Sequence, residues 1–398
     1  MLRIMQATQA YAWGSSNALQ DALALTHDGV LAEAWMGAHT SAPSAVQAVD
    51  DGPVDLLQFV GRSPRDVLGV DVVNRFGPQL PYLLKVIAAE HPLSLQVHPH
   101  IEAARAGYAA EDAAGVPLDS PHRNYKDRNH KPELVFALTQ FEAMCGFRAP
   151  RRAAEMFADL DCPLAKELHG ILVEKPSTEG ICEAFTRLLD PATRPEPEEV
   201  ARLADAVAAR LADGSPSPRT DRTVLLLQRE YPGDPGVVTS MLLNPVTLQP
   251  GEAMFVPAGG VHAYLHGVGV EIMASSDNVL RAGLTPKHVD VPELLRNVDY
   301  VAAPPIRIAP EVFHGATKVF YAPVDDFELS VTDLADDDEH PLPGRGPRIL
   351  LALAGELTVA TSGDGSLTLT TGQAAFVPAS DGRLTVRGRG RLVQADVP

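Results

Sequence analysis

Gln96 and His98 stand two residues apart in SLQVHPH, residues 94–100, a short apolar stretch that closes on a proline and a further histidine. In an extended strand, residues i and i+2 point to the same face. An amide and an imidazole therefore enter one side of what otherwise reads as a buried strand. A carboxylate, Glu133, opens the apolar run ELVFAL directly after the polar turn NYKDRNHKP. A second imidazole, His262, follows Gly259 and Gly260 in FVPAGGVHAYL, where the glycines let the backbone turn sharply and bring the ring inward. Two imidazoles, one carboxylate and one amide oxygen make a mixed nitrogen–oxygen donor set. It suits zinc and, less selectively, manganese, iron or cobalt. Either histidine alone reads more simply as a hydrogen-bonded core residue. The arrival of four donors at strand ends is what points to a metal.

Such donors need a barrel to converge in. From Met1 to about Phe147, short apolar runs are broken by Pro, Gly and Asp, and PYLLKVIAAEHPLSLQVHPH and ELVFALTQFEAMCGF read as strands, with a short helix between them near HIEAARAGYAAED. From about Arg148 to Arg222 the apolar spacing changes to three and four. PRRAAEMFADLDCPLAKELHGILVEKP, STEGICEAFTRLLD and EPEEVARLADAVAARLADG predict amphipathic helices, with Ser177 and Thr178 as caps and Pro197 in a first turn. From Thr223 strands are expected again, first TVLLLQREYP and then SMLLNPVTLQPGEAMFVPAGGVHAYLHG; DLADDDEHPLPGRGP reads as a solvated loop.

An internal repeat organises this pattern. G-x-A-x-F-V-P-A occurs at Gly251 and again at Gly372, each time as a glycine turn leading into an apolar strand that ends at a proline. That is how consecutive strands of a jelly roll are joined. The expected fold is mainly β with an α-helical insertion, a jelly-roll double barrel plus a helical domain. Residues 1–147 and 223–310 supply the catalytic barrel, 148–222 the insertion, and 311–398 the second barrel. Aligned without gaps, the second copy has Arg383 where the first has His262. A guanidinium has no lone pair to give a metal, so the second barrel is expected to be metal-free.

The net charge of −18 argues against nucleic acid and anionic membranes as partners. A small anionic substrate would need a local basic pocket. The three cysteines, Cys145, Cys162 and Cys182, lack C-x-x-C spacing and read as reduced thiols. No charged leader with a long apolar run opens the chain, and no stretch approaches the ~20 apolar residues of a membrane span. A cytoplasmic location is the expectation.

PLSLQVHPH, YKDRNHKPELVFAL and FVPAGGVHAYLHGVGVEIMASSDNVLRAGLTPKHVD closely resemble the three hallmark segments of the type I mannose-6-phosphate isomerases, also called phosphomannose isomerases. YAWGS and EAWMGAHTSAPS fit the same family, and the matches run in its order from near residue 11 to about residue 300. The last hundred residues match only loosely. The resemblance implies a cupin-type double barrel with a helical insertion, one zinc ion per chain on Gln96, His98, Glu133 and His262, and a monomeric enzyme of mannose and GDP-mannose metabolism. It also implies the reaction, interconversion of mannose 6-phosphate and fructose 6-phosphate through an enediol. Arg281 and Lys131 would be the cationic active-site residues. Glu271 is a candidate base, or else an ion-pair partner of Arg281 or Lys131. His130 is a candidate helper in proton transfer, and Tyr264 would line the sugar site. Ser94, Arg281 and Lys287 would hold the phosphate. Two other readings stand beside this one, a metal-dependent dioxygenase and a non-catalytic sugar-phosphate sensor.

Overall fold

Segments with a two-residue apolar period fold as strands and those with three- and four-residue spacing as helices, in a computed structural model that describes residues 1–47, 53–363 and 365–398. Among the described residues, two sheets of eleven strands each form, paired antiparallel. The first sheet gathers Tyr82–Ala89, Leu95–Val97, Glu133–Ala137, Phe141–Phe147, Leu243–Leu248, Ala253–Val256, His262–Ala274 and Leu280–Gly283, among others. The chain passes to the second sheet between Ile308 and Glu311. The architecture is the mainly β double barrel with a helical insertion.

The 13-residue strand His262–Ala274 holds the first barrel together. It pairs with Tyr82–Ala89 and Glu133–Ala137 along one half and with Leu95–Val97 and Phe141–Phe147 along the other. A strand with four partners must bend. It does so at a register shift between Tyr264 and His266 and at Gly267, φ 122°, where a Cβ would lie 2.6 Å from the Gln140 carbonyl oxygen. The two copies of the repeat are built alike. Ala253–Val256 and Ala374–Val377 follow glycines with positive φ, Gly251 and Gly372. His262 opens one 13-residue strand and Arg383 directly precedes another, Leu384–Asp396.

The helical module comprises Pro150–Phe157, Pro163–Glu174, Thr178–Leu189, Pro197–Ala212 and Pro218–Glu230. Proline stands in the first turn of four of these, and a capping box of Glu196 and Glu199 starts Pro197–Ala212. The segment TVLLLQREYP, expected as a strand, lies mostly in the last helix. Its three consecutive leucines carry no decisive period. Val224 and Leu227, three apart, bury one helical face, and Asp221 is held by Arg210 of the preceding helix at 2.6 Å. The module packs on the first barrel through one continuous core that includes Leu95, Val97, Phe147, Phe185 and Leu203. This contact decides which way Gln96 points. Shifting the strand by one residue would lift Leu95 and Val97 from that core at a cost of roughly 3–6 kcal/mol, so Gln96 is kept on the opposite face.

Not all of residues 1–147 stay with the first sheet. Leu2–Met5, Ala45–Gln47 and Pro53–Asp55 join the second sheet, with Leu2 opposite Phe376 and Ile4 opposite Val46, and the Met1 ammonium pairs with Asp381. A strand's own sequence states which face is apolar but not which sheet edge it will meet. The apolar faces of both sheets then close on one core, shared by Ile4, Leu84, Val270, Phe376 and Val393.

Within the second barrel, Arg348 is fully buried and donates to the Gly344 carbonyl at 3.2 Å and to that of Gly382. Asp396 is buried nearby, and burial pushes its carboxyl up to about 8 although the Arg348 guanidinium pulls the other way. Between its ordinary value of 3.8 and about 8, the folded chain keeps a proton that the unfolded chain has released. Stability from this group is whole below the lower value and is lost as pH rises to the upper one. Asp396→Asn cannot ionise and should flatten this fall. Urea unfolding of both proteins at intervals from pH 5 to pH 8 measures it, and parallel stability curves would show that Asp396 does not hold its proton in the fold.

Candidate metal centre and catalytic pocket

His98 lies just past the short strand Leu95–Val97, Glu133 opens Glu133–Ala137, and His262 opens His262–Ala274. The three are buried together, with ligand-capable atoms all within 4.8 Å of one another. Glu133 is the hub. Its Oε1 lies 3.2 Å from His98 Nε2 and 3.1 Å from Lys131 Nζ; its Oε2 lies 3.4 Å from His262 Nε2 and accepts from the Tyr264 hydroxyl at 3.3 Å.

The ring orientations settle the tautomers. His98 Nδ1 donates to the Asn278 carbonyl at 2.8 Å and His262 Nδ1 to the Gly260 carbonyl at 3.0 Å. A carbonyl can only accept, so both protons sit on Nδ1 and both Nε2 atoms present lone pairs. Burial, reinforced by Lys131, lowers His98 to about 4, so its ring is neutral near pH 7. Its Nε2 is buried without a hydrogen-bond partner among the described residues. Burial opposes the Glu133 charge, but the Lys131 ammonium 3.1 Å away favours it, and the carboxyl is held well below the usual range. Two lone pairs thus face an ionised carboxylate with no proton between them. That arrangement is repulsive unless a cation occupies the centre, and carbonyl-bound Nδ1–H groups are the usual support for imidazoles that ligate a metal. The donor set fits a zinc ion.

Gln96 joins this group across the strands. It pairs with His262 on one side and Arg281 on the other, and directly opposed residues of an antiparallel pair share a face. Gln96 Nε2 donates to Ser94 Oγ at 3.2 Å, which leaves the amide oxygen as the free donor atom. Arg281 is half-buried and has no ion-pair partner among the described residues. Burial lowers its pKa.

A cavity of about 60 Å³ adjoins these residues, lined by Gln96, Lys131, Glu133, His262, Tyr264 and Glu271, together with Glu33 and Lys85. The last two did not emerge from the sequence reading. Lys85 Nζ is 3.3 Å from Glu271 Oε2 and 3.6 Å from Glu33 Oε1, and it sits 4.7 Å from the centre of the Trp35 ring, whose Nε1 donates to Glu33 at 2.8 Å. Trp35, Lys85 and Glu271 oppose one another on three adjacent strands. The expected partners of Glu271 were Arg281 or Lys131; its ion pair is with Lys85. A signal was present, because Lys85 is the one charge inside the apolar run PYLLKVIAA, and a buried charge has to be paired.

The two carboxylates are driven apart. Burial and repulsion from Glu133 push Glu271 above the ordinary carboxylate range. Burial works against the Lys85 ammonium, but Glu33 and Glu271 outweigh it and raise its pKa. The two neighbouring carboxylates are thus shifted in opposite directions, the charged form of Glu133 being favoured and that of Glu271 disfavoured.

Not every expected residue arrives. His130 turns away from the cavity, with Nε2 3.0 Å from Asp326 beside the second barrel. Its neighbour Lys131 faces the pocket because adjacent residues of an extended segment point to opposite sides. Lys287 is exposed on the loop after Leu280–Gly283, close enough to Arg281 for the two cations to repel.

Comparison with known proteins gives a consistent picture. Residues 1–150 match the family model of the phosphomannose isomerase type I catalytic domain, and residues 316–397 match that of the mannose-6-phosphate isomerase cupin domain. The chain is 40% identical over 397 residues to mannose-6-phosphate isomerase of Escherichia coli (strain K12), covering 99% of each, and 33% identical to mannose-6-phosphate isomerase 1 of Arabidopsis thaliana, covering 87% of this chain and 80% of that one. Among solved structures, a variant of phosphomannose isomerase from Salmonella typhimurium superposes with a TM-score of 0.90 at 38% identity over 100% of this chain and 99% of that one. A zinc-bound holo mannose 6-phosphate isomerase superposes with a TM-score of 0.89 at 38% identity over the same shares.

Proposed function

The chain belongs to the type I phosphomannose isomerases, a family of aldose–ketose isomerases, and we propose that it interconverts mannose 6-phosphate and fructose 6-phosphate with one zinc ion held by Gln96, His98, Glu133 and His262. The observation that carries the metal assignment is the pair of Nε2 lone pairs aimed at an ionised Glu133. When bound, zinc supplies Lewis-acid polarisation of the sugar oxygens at C1 and C2.

The chain's own residues do the rest. Lys287 and Ser94 hold the phosphate, and the nearby Arg281 cation adds to the local basic site that a protein of net charge −18 needs for an anionic substrate. Glu271 takes the C2 proton and returns it to C1, or the reverse. Burial, with repulsion from Glu133, raises its pKa above the ordinary carboxylate range, which makes it a stronger base than an exposed carboxylate. Lys85 keeps the Glu271 carboxylate oriented, with Glu33 and Trp35 fixing Lys85 in turn. Lys131 and Arg281 offset the negative charge that develops on the enediol oxygens. Tyr264 presents its hydroxyl to Glu133 and closes the pocket floor. His130 has no part in this scheme, since its ring is engaged with Asp326.

The proposal extends to a cytoplasmic monomer serving mannose and GDP-mannose metabolism, without nucleic-acid or membrane partners. The charge of the chain supports the last two exclusions. No helix among the described residues is long and apolar enough to cross a membrane.

Metal analysis of the purified protein, with a coupled isomerase assay before and after chelation, tests the central claim. One zinc per chain is expected, with activity lost on chelation and regained on adding zinc. Full turnover by a metal-free preparation would sink it. An absence of turnover by the zinc-loaded protein would leave only a sugar-phosphate binding role.

A further inference from the structure

On this strongly acidic chain, one cleft runs against the charge balance. It encloses about 510 Å³, and its walls carry Arg75, Arg105, Lys126 and Arg128 against a single carboxylate, Asp127. That carboxylate is turned inward. It accepts from Ser276 Oγ at 2.9 Å, from the backbone N–H groups of Asp277 and Asn129 at 2.7 and 2.8 Å, and from Asn278 Nδ2 at 3.2 Å. With its lone pairs engaged there, it offers little to the cations around it. Arg75 pairs with Asp71. Among the described residues, Arg105, Lys126 and Arg128 have no carboxylate partner. Lys126 Nζ donates only to the Leu118 and Ser120 carbonyls, at 2.8 and 2.9 Å, and the Arg128 guanidinium rests 5.0 Å from the centre of the Tyr108 ring.

Gathering unneutralised cations costs Coulomb energy that a bound anion would remove. Guanidinium forks beside an ammonium present the donors that phosphoryl oxygens accept from, in the geometry that suits them. The cleft shares no lining residue with the catalytic cavity, yet one buried residue joins them. The backbone N–H groups of Lys126 and Asp127 donate to Asn278 Oδ1 at 2.7 and 3.2 Å, and Asn278 Nδ2 donates back to the Asp127 and Asn129 carbonyls at 3.0 and 2.8 Å. The Asn278 carbonyl accepts the Nδ1 proton that orients His98, at 2.8 Å.

We propose that this cleft binds a phosphoryl anion and that its occupancy is coupled through Asn278 to the catalytic pocket. A shift of the 126–129 segment on closing around the anion would be felt by Asn278 and hence by the setting of His98. The coupling rests on the isomerase reading; the binding does not.

The test uses the zinc-loaded full-length protein and isothermal titration with inorganic phosphate and with adenosine monophosphate at low ionic strength. Arg105→Gln/Arg128→Gln removes two exposed cations that have no role in the catalytic scheme, and Lys287→Ala serves as the control for the substrate's own phosphate site. The double variant should bind either probe roughly tenfold or more weakly, while Lys287→Ala retains a binding event at the cleft. Tighter binding of the nucleotide than of phosphate assigns the ligand a ring stacked at Tyr108 and Arg128; equal binding assigns a bare phosphoryl group. With substrate well above KM, saturating probe should change wild-type kcat by about fivefold and leave the double variant unchanged. No binding to the wild type, or binding that survives the double substitution, overturns the site. Binding that is lost in the double variant but never alters kcat overturns the coupling. Because titration reads binding without turnover, failure here is distinguishable from failure of the isomerase assignment.

Discussion

Glu133→Ala is expected to yield a protein that neither retains zinc nor isomerises mannose 6-phosphate. Glu133 is the carboxylate of the buried cluster and touches both imidazoles, Lys131 and the Tyr264 hydroxyl. Without it the two Nε2 lone pairs have no anionic partner, and the neighbouring charge left in place is the Lys131 cation, which repels a divalent ion. Zinc content should fall from one per chain to near zero, and kcat/KM should drop by at least about 10³. Loss of a buried counter-ion also costs roughly 3–5 kcal/mol of stability, so a folding defect must be separated from a metal defect. Glu133→Gln does this. It keeps the size and the Tyr264 contact but lacks the charge, and it should fold, lose zinc and lose activity. A Glu133→Gln protein that holds a full equivalent of zinc and turns over normally would remove Glu133 from the ligand set.

The second large effect separates chemistry from binding at Arg281. Its guanidinium is always charged and planar, so it can hold an oxyanion through two parallel bonds. It stands in the same cross-strand row as Gln96 and His262, half-buried and without a carboxylate partner among the described residues. If it meets charge that develops at the enediolate, its loss removes stabilisation present mainly in the transition state. Arg281→Ala should lower kcat by about 10²–10³ with a modest change in KM and normal zinc content. Lys287, exposed on the adjoining loop, is placed to hold the phosphate alone, and Lys287→Ala should chiefly raise KM, as loss of uniform binding does. Steady-state kinetics of the two variants side by side decide the matter. Should Arg281→Ala raise KM and spare kcat, Arg281 is a phosphate anchor, and charge stabilisation passes to zinc and Lys131.

Much of this site was legible because it obeys local periods. Gln96 and His98 share a face through two-residue spacing, and the flanking Leu95 and Val97 state which face is apolar. His262 is marked by its glycines and by the repeat that places Arg383 at the matching position of the second barrel. Glu133 opens a strand after a polar turn. Apart from the repeat, each of these signals lies within one short stretch of chain. What went unread lies between segments far apart in the chain. Lys85 was visible as a charge in an apolar run, but its two carboxylates come from strands 33–36 and 262–274, and no local pattern states which strands become neighbours. The helix Pro218–Glu230 was misread for a related reason. An apolar run reads equally well as strand or helix until its neighbours decide, and here Arg210 and the core of the module do so.

The sequence by itself determined the alphabet of the site and the order of its parts: four candidate metal donors on or next to strands, cations suited to a phosphate, a jelly-roll repeat, and a helical insertion within the chain. Only the tertiary structure decided the pairings. It set Glu271 against Lys85 rather than Arg281, turned His130 out toward Asp326, carried Leu2–Met5 across to the second sheet, and brought Asn278 under His98. The physical reason is that periodicity records which face of an element prefers to be buried. The partner that covers that face is chosen by the whole set of sheets and helices closing together, and that choice selects which of several suitable charges will meet.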